Sequence, residues 1–582
     1  MTKDRIAKKH RITKYDVVFL VMLAALTAFS IWKAPYGYIN NDEPFYLTIP
    51  LRLVQGDALL INEWHVSQLS SLLLYPLVKL YMTVAQTTDG IVLCFRYIYV
   101  AVQFIAAVCM YLCLRKYGEK AKFGAIAAVC VFVPFTPYYI GALSYNSMGI
   151  MALILSGLCI ATYNSKWYKL LIGGLLYASS VLCCPYLIVI YLLYSVVLLI
   201  DCLRYKIQGK NECVKSLAKA WGYFTLSAAI VALLLAVFVF RKGVELTSLT
   251  QALSEIMRDP EHKKQTILSK AKIYILHMFL SRKVALCSFG GCIAILAAIK
   301  LDKKYREHRA IYVFAAAMIS IGYLLLTMLR YKYINFFSVP LNVLGIVAYF
   351  LADKRQKNIF RYVFVPGVLY SFLIHLGSNN NYYCITVGLE VANVASAYFI
   401  GYLASEMWNE RNKRAENRVT AVVMLLAIVI ASGCVLKERS ERSFGDTNKS
   451  GIDLVSTLNE KVTFGVGKGL MMTKEQVDNY KETLDKTEVI RQAEGNNVLY
   501  FAWETWLYLA DEKDNGAFSA WLSVGSPEIA ADRLLKYWEL NPDKQPDAIY
   551  IDKMYDETGN IAQMLNIADY ELTETEDAYI LQ

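Results

Sequence analysis

Histidine and charge are what this chain has least of. Six histidines in 582 residues form no cluster, and the thirteen cysteines never fall at metal-ligand spacing. Cys183 and Cys184 are adjacent, with no second pair to complete a tetrahedral set, which argues against a structural zinc module. No cysteine lies beyond Ser440, so that stretch carries no disulfide framework. Those upstream, among them Cys109, Cys113, Cys130, Cys159 and Cys292, sit in apolar runs and read as small core hydrophobes. Only 19% of residues are charged against 56% hydrophobic, and mean hydropathy is +0.36, a balance that excludes an ordinary soluble domain. Gly465-Val-Gly-Lys-Gly lacks the first glycine a phosphate-binding loop requires, which leaves a glycine-rich turn.

What is present is a succession of apolar runs, each long enough to cross a hydrocarbon core with ~20 helical residues. The basic opening (Lys3, Arg5, Lys8, Lys9, Arg11, Lys14) precedes a run at 17–32 with no small-residue cleavage site after it, so it reads as a retained first span rather than a signal peptide. Further spans are expected at 91–114, 123–141, 148–163, 170–184, 187–203, 221–240, 284–299, 311–329, 334–351, 362–376, 382–403 and 419–436, about thirteen in all. Alternate connections are basic, as at Arg115, Lys116, Lys120 and Lys122, and at Lys354, Arg355, Lys357 and Arg361. The intervening turns at 144–147, 185 and 378–381 contain no Lys or Arg. The positive-inside rule then puts the amino terminus in the cytoplasm and, with an odd number of spans, the carboxyl-terminal region outside a plasma membrane.

That region, 440–582, holds 13 Lys+Arg against 27 Asp+Glu, while the rest holds 47 against 22. The reversal of sign marks a domain boundary. Strands are expected at 498–501 and 548–551, a helix over 473–494 opened by a Thr473/Gln476 capping box, and a second helix over 527–540 ending before Asn541-Pro542. The expected fold class is therefore mostly α: a polytopic membrane bundle over 1–439, with a first external loop at 34–90, followed by a small extracytoplasmic α/β domain.

The first external loop carries the strongest chemical signal. Asn41-Asp42-Glu43-Pro44 opens one short amphipathic stretch, and Glu63-Trp64-His65-Val66-Ser67-Gln68 opens another whose apolar part, 69–82, lacks the length of a span. Both read as short helices lying on the membrane face. Taken alone, Asp42 and Glu43 are better explained by helix capping, since acidic residues and proline favour a first turn; the long, outward-facing loop that ends in a basic span is what favours a chemical role. His65 and Gln68, one helical turn apart, are placed to face the pair.

Asp42-Glu43 resembles, in position and order, the Asp-Glu pair that membrane glycosyltransferases of the GT-C superfamily place in the first external loop. Protein O-mannosyltransferases and lipid A aminoarabinose transferases are similar in this respect, and the likeness extends to the surface helices, the span number and the external carboxyl-terminal domain. The resemblance implies a sugar donor linked to a polyprenyl phosphate, with Asp42 as general base and Glu43 as a supporting carboxylate. It implies partners of three kinds, the lipid-linked donor, a hydroxyl acceptor (glycan, lipid or protein) and membrane lipids, with no nucleic acid. No cofactor is required on this reading, although an acidic pair can also hold a divalent cation. A hydroxyl attacking an anomeric carbon must lose a proton, and a carboxylate within reach can take it. The departing phosphate calls for fixed positive charge. Candidates are Arg96, Arg330 and Lys332, and the basic loop at 241–283 with Arg258, Lys263, Lys264, Arg282 and Lys283. Snorkelling to headgroups explains Arg96 equally well, and attraction to anionic lipid explains the loop. Tyr145 and Asn146, and Asn379, Asn380 and Asn381, offer neutral groups for sugar hydroxyls or simply form turns.

Two other classes compete. A transporter or flippase would carry paired ionisable groups near the bilayer midplane and matching halves; the sequence shows no internal repeat, and its acidic residues are read as avoiding span centres. An envelope assembly protein would use the acidic domain alone, leaving Asp42-Glu43 without a role.

Overall fold

In the computed structural model the described residues are 12–39, 41–163, 166–258, 265–278, 282–330, 337–353, 356–378, 381–410, 415–444, 452–522, 526–567 and 570–582. The basic positions from Lys3 to Arg11 fall outside them. The chain is a mostly helical, multi-spanning bundle with a small carboxyl-terminal region built on a β-sheet. Among the described residues, nine helices are long and apolar enough to cross a membrane, and three shorter apolar helices accompany them.

The principal helices are α1 (Lys14–Lys33), α2 (Asp42–Gln55), α3 (Ser71–Ala85), α4 (Ile91–Leu114), α5 (Glu119–Phe132), α6 (Tyr145–Ala161), α7 (Trp167–Cys183), α8 (Ile188–Ile207) and α9 (Asn211–Phe240). They continue with α10 (Leu246–Met257), α11 (Ile267–Met278), α12 (Arg282–Leu301), α13 (Tyr305–Arg330), α14 (Ser338–Leu351), α15 (Val365–Leu376), α16 (Asn381–Trp408) and α17 (Ala415–Glu441). Every apolar run read from the sequence coincides with one of these helices. One is shorter than expected: the run at 123–141 is helical only to Phe132, because Pro134 and Pro137 cannot continue the backbone ladder. The irregular segment that follows is mostly buried inside protein, where its carbonyls find partners such as Gln103 and Arg439. The loop at 241–283 also contains more order than expected, in α10 and α11.

Helix α16 is the axis of the bundle and is buried along its whole apolar stretch. Small residues make this possible. A Cβ on Gly401 would stand 2.8 Å from Ala127 Cβ and 3.0 Å from Gly124 Cα, and one on Gly367 would meet Ala392 N at 2.3 Å. Without side chains there, α5 and α15 approach α16 to backbone contact and gain dispersion that lipid cannot supply.

Beyond α17 the chain forms β1 (Arg442–Phe444), paired with β2 (Ile452–Leu454), and β3 (Glu460–Lys461), paired with β4 (Met471–Met472). The β3–β4 connection is the glycine-rich turn, with Gly465 at φ +62° and Gly469 at φ +93°, conformations that disfavour a side chain. The helix at Lys474–Lys486 opens with the expected Thr473/Gln476 capping box but breaks at Thr487 before a short turn at Glu488–Gln492. A five-stranded sheet follows, in the order β6-β5-β7-β9-β8. Strands β5 (Asn497–Phe501), β6 (Asp514–Asn515) and β7 (Ala548–Asp552) are parallel; β9 (Ala578–Leu581) joins β7 antiparallel, with β8 (Leu572–Glu574) outside it. The near-continuous apolar runs of β5 and β7 suit strands covered on both faces, and the helix Pro527–Leu540 has the expected bounds.

Candidate active site

Helix α2 was expected on a membrane face, but residues Glu43 to Leu53 are all buried. The carboxyl-terminal region covers it. Arg52 is 2% exposed and donates from Nε to Asp57 at 2.6 Å, from Nη1 to Glu63 at 3.0 Å, and from Nη2 to the carbonyl of Asn62. Lys544 reaches the other oxygen of Asp57, Asn62 pairs with Asn541 at 3.1 Å, and the Trp64 N–H donates to Phe518 O at 2.8 Å. At the other end of α2 the Thr505 hydroxyl donates to Asn41 O at 2.6 Å, so the loop after β5 ends one residue from Asp42.

The helix starts at Asp42, with Asn41 as its cap residue and no side-chain capping bond. The two acidic residues then differ sharply. Glu43 is 2% exposed and gripped by Arg96 through two parallel bonds, Nε to Oε1 at 2.7 Å and Nη2 to Oε2 at 2.8 Å. Asp42 is half-buried, and its carboxylate has no hydrogen bond or ion pair among the described residues. Burial, with the adjacent Glu43 charge, pushes its pKa up to about 6. A carboxylate held near neutrality, unpaired and reachable, is suited to accept a proton. Its neighbour is a fixed anchor. Glu43 gives both oxygens to Arg96, so the pair does not offer the several free oxygens that a hard divalent cation takes.

Tyr46, one helical turn from Asp42, meets the Tyr145 ring edge to face at 5.7 Å, and Tyr145 lies close enough to feel the Asp42 charge. Asn146 is 2% exposed, and its Oδ1 has no hydrogen-bond partner among the described residues. Both stand at the start of α6, which Ser144 and Ser147 cap reciprocally. Tyr145 therefore comes near Asp42, with Asn146 beside it in the chain, a proximity between segments that the sequence placed only in separate loops.

Other expected residues are engaged elsewhere. Arg96 gives its remaining donors to Ala34 O at 2.9 Å and Tyr38 O at 3.5 Å, so it braces the acid pair and is not a snorkelling side chain. Gln68 turns away from the pair: its amide donates to Glu63 O at 2.6 Å and accepts from Leu60 N at 2.8 Å, folding its own loop. His65 accepts from Ser67 N and abuts Phe45, with ring centroids 4.6 Å apart; burial, with Arg533 nearby, holds its pKa down to about 4. The imidazole is neutral near pH 7. Arg258 is exposed at the end of α10, beside Glu255 at 3.8 Å, and Lys283 is exposed on α12. Lys263, Lys264, Lys332, Asn379 and Asn380 lie outside the described residues, as do the side chains of Arg282, Arg330 and Asn381.

Glu390 corrects the reading that acidic residues avoid the span interiors. It lies within α16, fully buried, with Oε2 accepting from Asn393 at 2.9 Å and Oε1 lacking a hydrogen-bond partner among the described residues. Asn393 and Ser396 each bond to Asn342, which extends this polar cluster to α14. One acidic letter inside an apolar run gave no spacing signal. Lys33 and Arg439 were missed for a related reason: each ends an apolar run and reads as a headgroup flank.

No protein-family model matches this sequence, and no curated protein matches it.

Proposed function

We propose that the protein is a glycosyltransferase that moves a sugar from a polyprenyl-phosphate donor to a hydroxyl acceptor at the extracytoplasmic face of a plasma membrane. The observation that carries this reading is the asymmetry of the acid pair, with Glu43 locked to Arg96 and Asp42, near neutrality, without a partner among the described residues. In the proposed reaction Asp42 takes the acceptor's hydroxyl proton as that oxygen attacks the anomeric carbon. The bond from that carbon to the phosphate oxygen breaks, its electron pair leaves with the polyprenyl phosphate, and direct displacement inverts the anomeric configuration. Tyr145 and the free Asn146 oxygen supply contacts for sugar hydroxyls. The charge alternation of the connections supports placing this end of the bundle outside the cytoplasm. The likeness to GT-C enzymes supports the donor class by analogy.

The test is sugar release from a panel of radiolabelled polyprenyl-phosphate sugars by the full-length protein in lipid, native against Asp42→Asn. Turnover lost in the variant is the expected result; turnover retained sinks the assignment of the base. Glu390 favours a second reading, transport, because a buried carboxyl inside a membrane bundle is a frequent mark of an ion or substrate path. Glu390→Gln separates the two: sugar transfer persists if Glu390 is structural, whereas flux of a lipid or glycan abolished with no transfer by the native chain selects the transporter.

A further inference from the structure

Beside the Glu43–Arg96 pair lies a narrow cavity of about 40 Å³, room for roughly three waters or for the oxygens of one phosphate. It is lined by Lys33 from the end of α1, Arg96 from α4, Arg439 from α17, Arg442 from β1, and Glu43. Lys33 is 9% exposed; its Nζ has no hydrogen-bond partner among the described residues and rests 5.9 Å from the centroid of the Tyr36 ring. Arg439 is 6% exposed and donates to the carbonyls of Pro134 at 2.8 Å and Val133 at 3.5 Å, with no carboxylate partner among the described residues. Arg442 is 3.9 Å from Glu438, and Glu43 belongs to Arg96. Four basic side chains thus meet two carboxylates. Burying an unpartnered lysine nitrogen is unfavourable whether or not it is charged, so folding alone gives no reason to place Lys33 here.

We propose that this cavity seats the phosphate of a polyprenyl lipid, with Lys33 and Arg439 supplying the charge and Arg96 tying the seat to the acid pair. Phosphate oxygens would satisfy the unpartnered Lys33 nitrogen and give Arg439 the anionic partner it lacks among the described residues. A lipid source follows from the surroundings: the seat is at the ends of two apolar helices, and Ile31 and Trp32, next to Lys33, are 48% and 45% exposed. A chain attached to the phosphate would run along that face. The proposal rests on the glycosyl-transfer reading, in which a polyprenyl phosphate is the leaving group.

The test is saturable binding of radiolabelled farnesyl phosphate to the full-length protein in neutral-lipid nanodiscs. Lys33→Met and Arg439→Gln should each weaken binding at least tenfold, Lys33→Arg should stay within about threefold, and the exposed Arg258→Ala should bind as the native chain does. Unlabelled farnesol should fail to compete, and inorganic phosphate should compete only at concentrations at least a hundredfold higher. Equal competition by farnesol, or by inorganic phosphate, overturns the proposal, the first in favour of an apolar groove and the second in favour of a free-anion site. These competitions use the native chain and remain decisive if a variant fails to fold. Turnover together with binding indifferent to Lys33 and Arg439 sinks the seat but not the enzyme; phosphate-dependent binding with no transfer from any donor sinks the enzyme but not the seat.

Discussion

At the carboxyl end of α2, Arg52 and Lys544 are matched by Asp57 and Glu63, with the part-exposed Asp514 3.7 Å from Lys544, and the remaining donors of Arg52 go to Asn62 and Tyr537. At its amino end, Lys33, Arg96, Arg439 and Arg442 outnumber Glu43 and Glu438, and Asp42 stands apart, its carboxylate without a partner among the described residues. Both clusters are largely closed to water, where ionic groups are costly unless matched. The balanced cluster clamps the carboxyl-terminal region onto the bundle. The unbalanced one gives no such return in stability, which is why the proposed phosphate seat is placed there.

The largest expected effect separates the two ends directly. Asp42→Asn should lower sugar transfer by about 10²–10⁴-fold, the usual contribution of a general base, without lowering the unfolding temperature. A matching loss of stability would make Asp42 a structural residue. Arg52→Met should do the reverse, since removing it strands Glu63, leaves Asp57 with Lys544 alone and costs about 3–5 kcal/mol. Denaturant unfolding measures that cost, and limited proteolysis should cut between the bundle and the carboxyl-terminal region; an unchanged unfolding midpoint would refute the clamp.

Next in size is pH. Transfer should fall as pH drops through about 6, where Asp42 takes up its proton, and a rate flat between pH 5 and 7 would exclude it as the base. The stability contributions of the two loop groups run in opposite senses. For Asp42, whose folded pKa is raised, the contribution is fully present below pH 3.8 and lost as pH rises through about 6. For His65, whose folded pKa is lowered, it is present above pH 6.5 and lost as pH falls through about 4. Thermal unfolding of His65→Gln across that acid window should lose less stability than the native chain. The smallest expected effect is at Arg258, exposed and loosely paired: Arg258→Ala should stay within about 0.5 kcal/mol and leave transfer unchanged. A tenfold drop in donor affinity would return the basic loop to the site.

Much of this was legible in the letters. Apolar runs announced the helices because each run must satisfy its own backbone in lipid, and Thr473/Gln476 announced a helix start because the capping bonds are local. Asp42-Glu43 drew attention by position alone. The letters were silent about the depth of α2, since its burial depends on Thr505, Phe518 and Tyr537 arriving from distant segments. They misjudged Gln68, whose side chain was claimed by nearby backbone groups, and they gave no notice of Glu390, a single acid in an apolar run.

Sequence alone determined the membrane class, most of the bounds of the apolar helices, and the charge contrast of the carboxyl-terminal region, because hydrophobicity and net charge are sums over local residues. Against the thirteen spans it suggested, nine helices among the described residues have the length and apolarity to cross. Tertiary structure decided which of two adjacent carboxylates is paired and which is free, and which flanking cations converge on one cavity. Those outcomes depend on distances between residues far apart in the chain, such as Glu43 with Arg96 and Lys33 with Arg439, and no local sum contains them.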